Sequence, residues 1–356
     1  MSENTVLYSG DASNRAFPGI PGHWSQAMRE RAEADLDLIA RADAGFAEHI
    51  SEVDPCADVE DFWEPVARTA GCLRAAQELG MTVELCPPAT TLWTPERMAR
   101  RVGSVWTHEE DRHASDPLLL HPTLRQHGGR WMAVAGYTDE PGELPADQDV
   151  VELALTRARK GIERLVVKFA ASKTGLTVID LHPEMSREDV HDALMSSSDG
   201  WELIRLAGRR RTLLVQDWIP MAYEYRLFVV DGRIITAAGC VEEHTPYSRP
   251  DVDTRFDARL RERRGNQITA ELDTPVVERP DLVTRFLLAG VPIAARFDGT
   301  VSIDLALDAE RDEIVVVELN TLPNAGLYAT DADAVHRALL GATDRGYDHY
   351  AWGSTP

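Results

Sequence analysis

The chain has 356 residues, 44% hydrophobic and 27% charged, ordinary values for a globular protein with room for about two domains. It carries 59 acidic against 37 basic residues, a net charge of −22. A field of that sign repels polyanions, so nucleic acid is not the expected partner. The four cysteines (Cys56, Cys72, Cys86, Cys240) form no CxxC pair and no metal-ligand spacing, and read as reduced thiols of a cytoplasmic protein. The opening MSENTVLYSGD lacks the segments of a signal peptide, and no run approaches transmembrane length, so no membrane association is expected.

In chain order, Thr5–Ser9 reads as a short strand before a Pro/Gly-rich turn. Trp24–Ile50 reads as one long helical stretch with Leu36, Ile39, Phe46 and Ile50 towards one face. Asp58–Gly80 is a second helix, with Gly80 as its C-cap, and Met81–Cys86 is a strand closed by prolines. This alternation suggests a small α/β domain. Thr107–His127 is polar and holds His108, His113, His121 and His127 without helical ligand spacing, so a solvated loop is expected rather than a metal site. Asp139–Asp149, with its prolines and glycine, looks like a linker, and a domain boundary is expected near it.

Val150–Gly161 reads as a helix and Arg164–Ala170 as a strand, followed by the loop Ala171–Gly175 and a strand at Leu176–Leu181. Lys168 lies inside the first strand among apolar residues, so its ammonium either snorkels at an edge or aims at an anion. Lys173 sits in a loop of small residues that could close over phosphate, although the P-loop pattern GxxxxGK[ST] is absent. Ser186–Gly208 reads as helical, and Leu213–Pro220 as a strand stopped by proline. Ala222–Val230, Asp231-Gly232 and Arg233–Ala238 form the strongest hairpin signal in the chain. Glu224 and Arg226 share a face of its first strand. The carboxylate suits a ribose hydroxyl pair and the guanidinium suits phosphate, unless each pairs with a neighbour across the sheet.

Cys240–Arg264 reads as an irregular loop whose Arg249, Arg255 and Arg259 face either an anionic group or solvent. A helix is expected over Pro280–Phe297, and a closing helix over Asp331–Leu340. Between them lies VSIDLALDAERDEIVVVELN, Val301–Asn320, two apolar runs about a charged turn. If Asp308 pairs with Ile314, Asp304 sits across from Glu318, with Asn320 on the same face. Two opposed carboxylates on half-buried strands repel unless a cation lies between them. A hard ion such as Mg²⁺ takes a few such oxygens and leaves the rest of its shell to phosphates. A register off by one would instead turn the acids to water.

Taken in this order, a strand lysine, a loop lysine, Gln-Asp-Trp-Ile, a Glu-Tyr-Arg hairpin and SIDLALD…VVVELN resemble the ATP-grasp superfamily, over roughly Val150–Leu340. Arg226 with Lys168 and Lys173 is similar to a bacterial and phage branch of it. The resemblance implies an α+β, α/β architecture with an N-terminal α/β domain at 1–140. An ATP-grasp domain at 150–340 would follow, its two α+β subdomains (about 150–218 and 219–340) clamping ATP before a tail at 341–356. By the same resemblance, Lys168 and Lys173 meet the phosphates, and Gln216, Trp218 and Ile219 hold adenine. Glu224 takes the ribose, Arg226 a phosphate or acyl phosphate, and Asp304, Glu318 and Asn320 bind Mg²⁺; Lys173 and Arg226 are the catalytic candidates. Family hinges often carry Glu where Gln216 stands. The implied activity is ATP-dependent joining of a carboxylate to an amine on a small molecule or peptide, by a chain able to pair as a homodimer. The alternatives are a hydroxyl kinase, an RNA-end ligase or a non-catalytic nucleotide-binding protein.

Overall fold

The computed structural model describes residues 5–9, 15–86, 101–103, 121–138, 140–169, 176–196, 213–249, 254–263, 274–320, 322 and 325–343. Lys173, His108, His113, the stretch expected to continue a helix to Gly208, and the tail after residue 343 lie outside them.

At the N-terminus, β1 (Thr5–Ser9) is the centre of a three-stranded parallel sheet between β2 (Thr82–Cys86) and β3 (Arg101–Gly103). The single helix expected from Trp24 to Ile50 is two helices, α1 (Gln26–Ala42) and α2 (Ala44–His49). Asp43 divides them. Its backbone is extended and its carboxylate accepts the Gly45 amide at 2.9 Å, a local hydrogen bond that competes with helix continuation. In α3 (Val59–Glu78), Asp58 caps the start, and Gly80 at φ 66° turns the chain just beyond the end. Phe62, Trp63, Val66 and Ala70 of α3 are fully buried.

The last described helix, α8 (Ala332–Thr343), packs against α3, and its Val335, Leu339 and Leu340 complete the N-terminal core. Arg74 of α3 ties this arrangement together, pairing with Asp333 at 2.7 Å and with the buried Asp35 of α1. His336 of α8 is 3% exposed and edge-on to Tyr8. Burial holds its pKa down to about 4, against the ordinary 6.5. The fold keeps the neutral ring, while the unfolded chain takes up a proton near pH 6.5. This stability is therefore full above about pH 6.5 and declines as pH falls towards 4, by about 3 kcal/mol in all. Urea titrations at pH 7 and 4.5 should show the loss, and His336→Leu should remove that share of it.

Two four-stranded antiparallel sheets follow. The first has the order β4-β7-β5-β6, with β4 (Met132–Ala135), β5 (Arg164–Phe169), β6 (Leu176–Asp180) and β7 (Leu213–Asp217). Helices α5 (Val150–Arg159) and α6 (Arg187–Ser196) cover it, setting Leu153, Ala154, Val190 and Leu194 against Leu165, Val167 and Val215. Sequence patterning did not predict β4, nor the short helix α4 (Pro122–His127) that His121 caps within the stretch expected to be a solvated loop. The β4–β7 pairing, Met132 to Gln216, reaches across the boundary expected near residue 140.

The second sheet has the order β13-β12-β8-β9, with β8 (Met221–Val230), β9 (Arg233–Gly239), β12 (Thr300–Asp308) and β13 (Glu313–Asn320). Asp231 and Gly232, at φ 46° and 74°, make the primed turn that Asp-Gly predicts. Helix α7 (Pro280–Ala294) covers one face, packing Leu282, Phe286 and Ile293 on Tyr225, Leu227, Ile303 and Leu305. On the opposite face Phe228 and Val230 enter the N-terminal core. Between these sheet strands the expected irregular loop is partly regular: β10 (Arg259–Arg261) pairs with β11 (Val276–Glu278). Its arginines bind protein groups, Arg249 to Asp331, Arg255 to the Ile234 and Ile235 carbonyls, and Arg259 to Asp257. Among the described residues no helix is long and apolar enough to cross a membrane.

Candidate functional site

The face of the second sheet not covered by α7 carries the acids. The expected pairing of Asp308 with Ile314 does not form. Asp308 pairs with Glu313, Leu307 with Ile314 and Leu305 with Val316, a register that would continue to set Val317 across from Asp304. A β-bulge between Asp304 and Leu305 adds one residue to β13, so Asp304 faces Glu318 and Ser302 faces Asn320. The predicted opposition of the two acids is present, by way of a shift that no alternation pattern announces.

On its other side Asp304 faces Arg226 of β8. The guanidinium grips the carboxylate with two bonds of 2.6 Å, and both residues are buried. Arg226 also donates to the Gly326 carbonyl at 3.1 Å and lies 5.1 Å from the centre of the Tyr328 ring. Tyr328 holds φ at 49°, uncommon for a residue with a side chain and a local cost accepted where that ring must sit. Burial raises the Asp304 carboxyl above the usual carboxylate range, against the pull of Arg226.

Lys168 reaches over from the first sheet to Glu318, Nζ to Oε2 at 2.5 Å. Of the two readings of this strand lysine, an ammonium aimed at an anion is the one observed; the anion is a carboxylate. For Glu318, burial would raise the carboxyl, but the Lys168 ammonium, Asp304 and Arg226 outweigh it and hold it well below the usual range. Asn320 donates to Glu318 at 2.7 Å. Two acids, two cations and one amide thus share one face.

The hinge between the sheets lies beside this group. Gln216 is buried and accepts from Arg130 at 2.9 Å, while Asp217 is paired with Arg157 at 2.9 Å. The Trp218 ring lies 5.2 Å from the Arg164 guanidinium. Ile219 packs with Ala306, Val315 and Val317 in a small apolar cluster of its own, with Met221 at its edge. Glu224 does not stand free: its Oε2 accepts from Arg263 at 2.6 Å. The structure therefore brings together Lys168, Gln216, Ile219, Glu224, Arg226, Asp304, Glu318 and Asn320 around the join of the two sheets. Trp218 stands with its ring towards Arg164, and Lys173 is outside the described residues.

Arg130, Arg263 and Tyr328 belong to this neighbourhood and sequence reasoning missed them. Tyr328 had a faint signal, lying eight residues beyond Asn320 in a turn. Arg130 and Arg263 had none, because their partners are set by long-range pairing.

Among the described residues no three His, Cys, Asp or Glu side chains gather as a metal-binding group. The oxygen donors available are Asp304, Glu318 and the Asn320 amide. That all-oxygen set, with two negative charges, fits a hard divalent cation that keeps water or phosphate for its other positions.

Residues 182–338 match a family model described as an ATP-grasp domain, the second family of the clade named for one arginine and two lysines. The chain carries an ATP-grasp domain. The matched ATP-grasp segment includes Gln216, Glu224, Arg226, Asp304, Glu318 and Asn320, and begins after Lys168. Among curated proteins nothing matches the chain. Solved ATP-grasp and ligase structures resemble it at low identity. The D-cycloserine synthetase DcsG is 16% identical, over 78% of this chain and 94% of that one, with a TM-score of 0.44. The D-alanine–D-alanine ligase of Bacillus anthracis complexed with ATP is 13% identical, over 96% and 99%, with a TM-score of 0.42. A RimK-domain ATP-grasp protein of Sphaerobacter thermophilus is 14% identical, over 77% and 94%, with a TM-score of 0.41.

Proposed function

We propose that this protein is an ADP-forming ligase that activates a carboxylate with ATP and joins it to an amine. The observation that carries the reading is the face shared by Asp304, Glu318, Asn320, Lys168 and Arg226, set against an apolar cluster at a hinge between two sheets. In this reading the two sheets are the lobes of the clamp. The first lobe takes in β4 as well as residues 150–218, and the second spans about 219–340.

The apolar patch of Ile219, Ala306, Val315 and Val317 suits the face of adenine, and the hinge backbone after Gln216 its edge. Glu224, held by Arg263, is oriented for a ribose hydroxyl pair. Asp304, Glu318 and Asn320 would hold Mg²⁺, which supplies charge neutralisation for the transferring phosphate. Lys168 and Arg226, now bonded to carboxylates, carry the cationic groups that can exchange a carboxylate for a phosphate oxygen. Lys173 is assigned by position to the same task.

The reaction has two steps. A carboxylate oxygen of the acceptor attacks the γ-phosphorus, the bond to the bridging oxygen breaks, and ADP leaves with that electron pair. The amine then attacks the acyl carbon, phosphate departs, and the nitrogen loses a proton to give the amide. Positioning and charge neutralisation suffice, with no nucleophile from the protein.

The deciding experiment screens amino acids and short peptides for acceptor-dependent release of ADP and phosphate. Hydroxylamine should intercept the acyl phosphate as a hydroxamate. A phosphorylated acceptor without free phosphate would make the protein a kinase, AMP would indicate nucleotidyl transfer, and binding without turnover would indicate a sensor.

A further inference from the structure

We propose that Arg130 is a positioning residue that holds the bulge of β13, and through it Glu318, in the register the site requires. The inference rests on reading that site as one for magnesium and a nucleotide. Arg130 ends the turn Gly128-Gly129-Arg130 just before β4. Its bonds go to uncharged oxygens: Nη1 to the carbonyls of Gly128 at 2.8 Å and Val316 at 3.1 Å, Nη2 to the Val317 carbonyl at 3.0 Å and Gln216 Oε1 at 2.9 Å. Among the described residues no carboxylate lies within ion-pair distance of it.

The pair of carbonyls is the telling feature. Successive carbonyls of a regular strand point to opposite edges, so one guanidinium cannot ordinarily take those of Val316 and Val317 together. The bulge beside Asp304 disturbs that alternation where Arg130 binds. Because β13 is the edge strand, no further strand can satisfy these carbonyls. Without the extra residue the register would set Val317 across from Asp304, and Glu318 would leave the face that Lys168 reaches.

The same turn leans on β13 a second time. Gly129 has φ 62°, and a Cβ there would lie 2.6 Å from Val315 Cγ1, so a glycine is required for the approach. Arg311, in the β12–β13 turn, donates to the Gly129 carbonyl. Burial lowers the Arg130 guanidinium to about 10, and Glu318 is the largest favourable charge acting on it. Through Gln216 the fork also reaches β7. Seating of adenine at the hinge and presentation of Glu318 thus share one side chain. A lysine there would offer a single charged centre unable to span two carbonyls and an amide.

The test uses the full chain as wild type, Arg130→Met and Arg130→Lys, with hydrogen exchange followed over residues 313–320 and Mg²⁺ titrated at fixed ATP in a binding assay. In Arg130→Met, exchange across Val316–Leu319 should quicken on the order of tenfold or more while α3 and α5 keep their protection. The Mg²⁺ concentration for half-maximal nucleotide binding should rise roughly tenfold, with Arg130→Lys between the two. Wild-type exchange at 313–320 together with an unchanged Mg²⁺ requirement would overturn the proposal. Should Arg130→Met not fold, the same two readouts on Arg130→Lys decide it. If the wild type binds no magnesium–ATP, the proposed function falls, and the exchange experiment still decides whether Arg130 holds the bulge.

Discussion

Glu318→Gln is expected to lower ATP turnover by about 10³-fold or more while the chain stays folded. The change removes one charge and almost no volume. Glu318 is the acid that both sheets use, opposite Asp304 across β12–β13 and bonded to Lys168 of β5. Its carboxyl is held ionised at any working pH, because Lys168, Asp304 and Arg226 outweigh its burial. A neutral amide keeps the hydrogen bond to Lys168 but offers a cation no charge. The side chain is 32% exposed, so the stability lost should stay near 1 kcal/mol. Steady-state ADP release and a urea titration on the same preparation separate the two effects. Near-normal turnover would remove Glu318 from the metal site.

Arg226→Met should be the most damaging substitution for stability, costing about 3–5 kcal/mol. It leaves Asp304, 3% exposed, as a buried carboxylate without its counter-ion, and takes a donor from the Gly326 carbonyl. Most of that cost belongs to the orphaned acid rather than to the pair. A double variant, Arg226→Met with Asp304→Asn, should therefore recover more than half of it while turnover stays lost. Two unfolding free energies that simply add, with no recovery, would mean that Arg226 stabilises the fold through Tyr328 and Gly326 rather than through Asp304.

The sheet around these residues was legible in part before any coordinates. Alternating apolar positions gave β8, β12 and β13, and Asp-Gly gave the turn between β8 and β9. Each is a local signal, carried by neighbours two to four residues apart. The same kind of signal failed at Asp43, where hydrophobic spacing continues through a residue whose carboxylate ends one helix and starts another. It failed again at β4, four residues long and recognisable chiefly by its pairing with β7.

By itself the sequence determined the residue types and the faces: two acids and an amide in phase on neighbouring strands, a lysine in a strand, an arginine two residues from a glutamate. Only the tertiary structure decided which of them meet. It paired Arg226 with Asp304, Lys168 with Glu318 and Glu224 with Arg263, and it completed the first core with the last described helix. The expected contact of Asp304 with Glu318 came through a bulge, not through the counted register. The reason is physical. Periodicity and turn chemistry act over one or two turns of chain, whereas a bulge held by an arginine 186 residues away from the carbonyl it binds exists only once two sheets have come together.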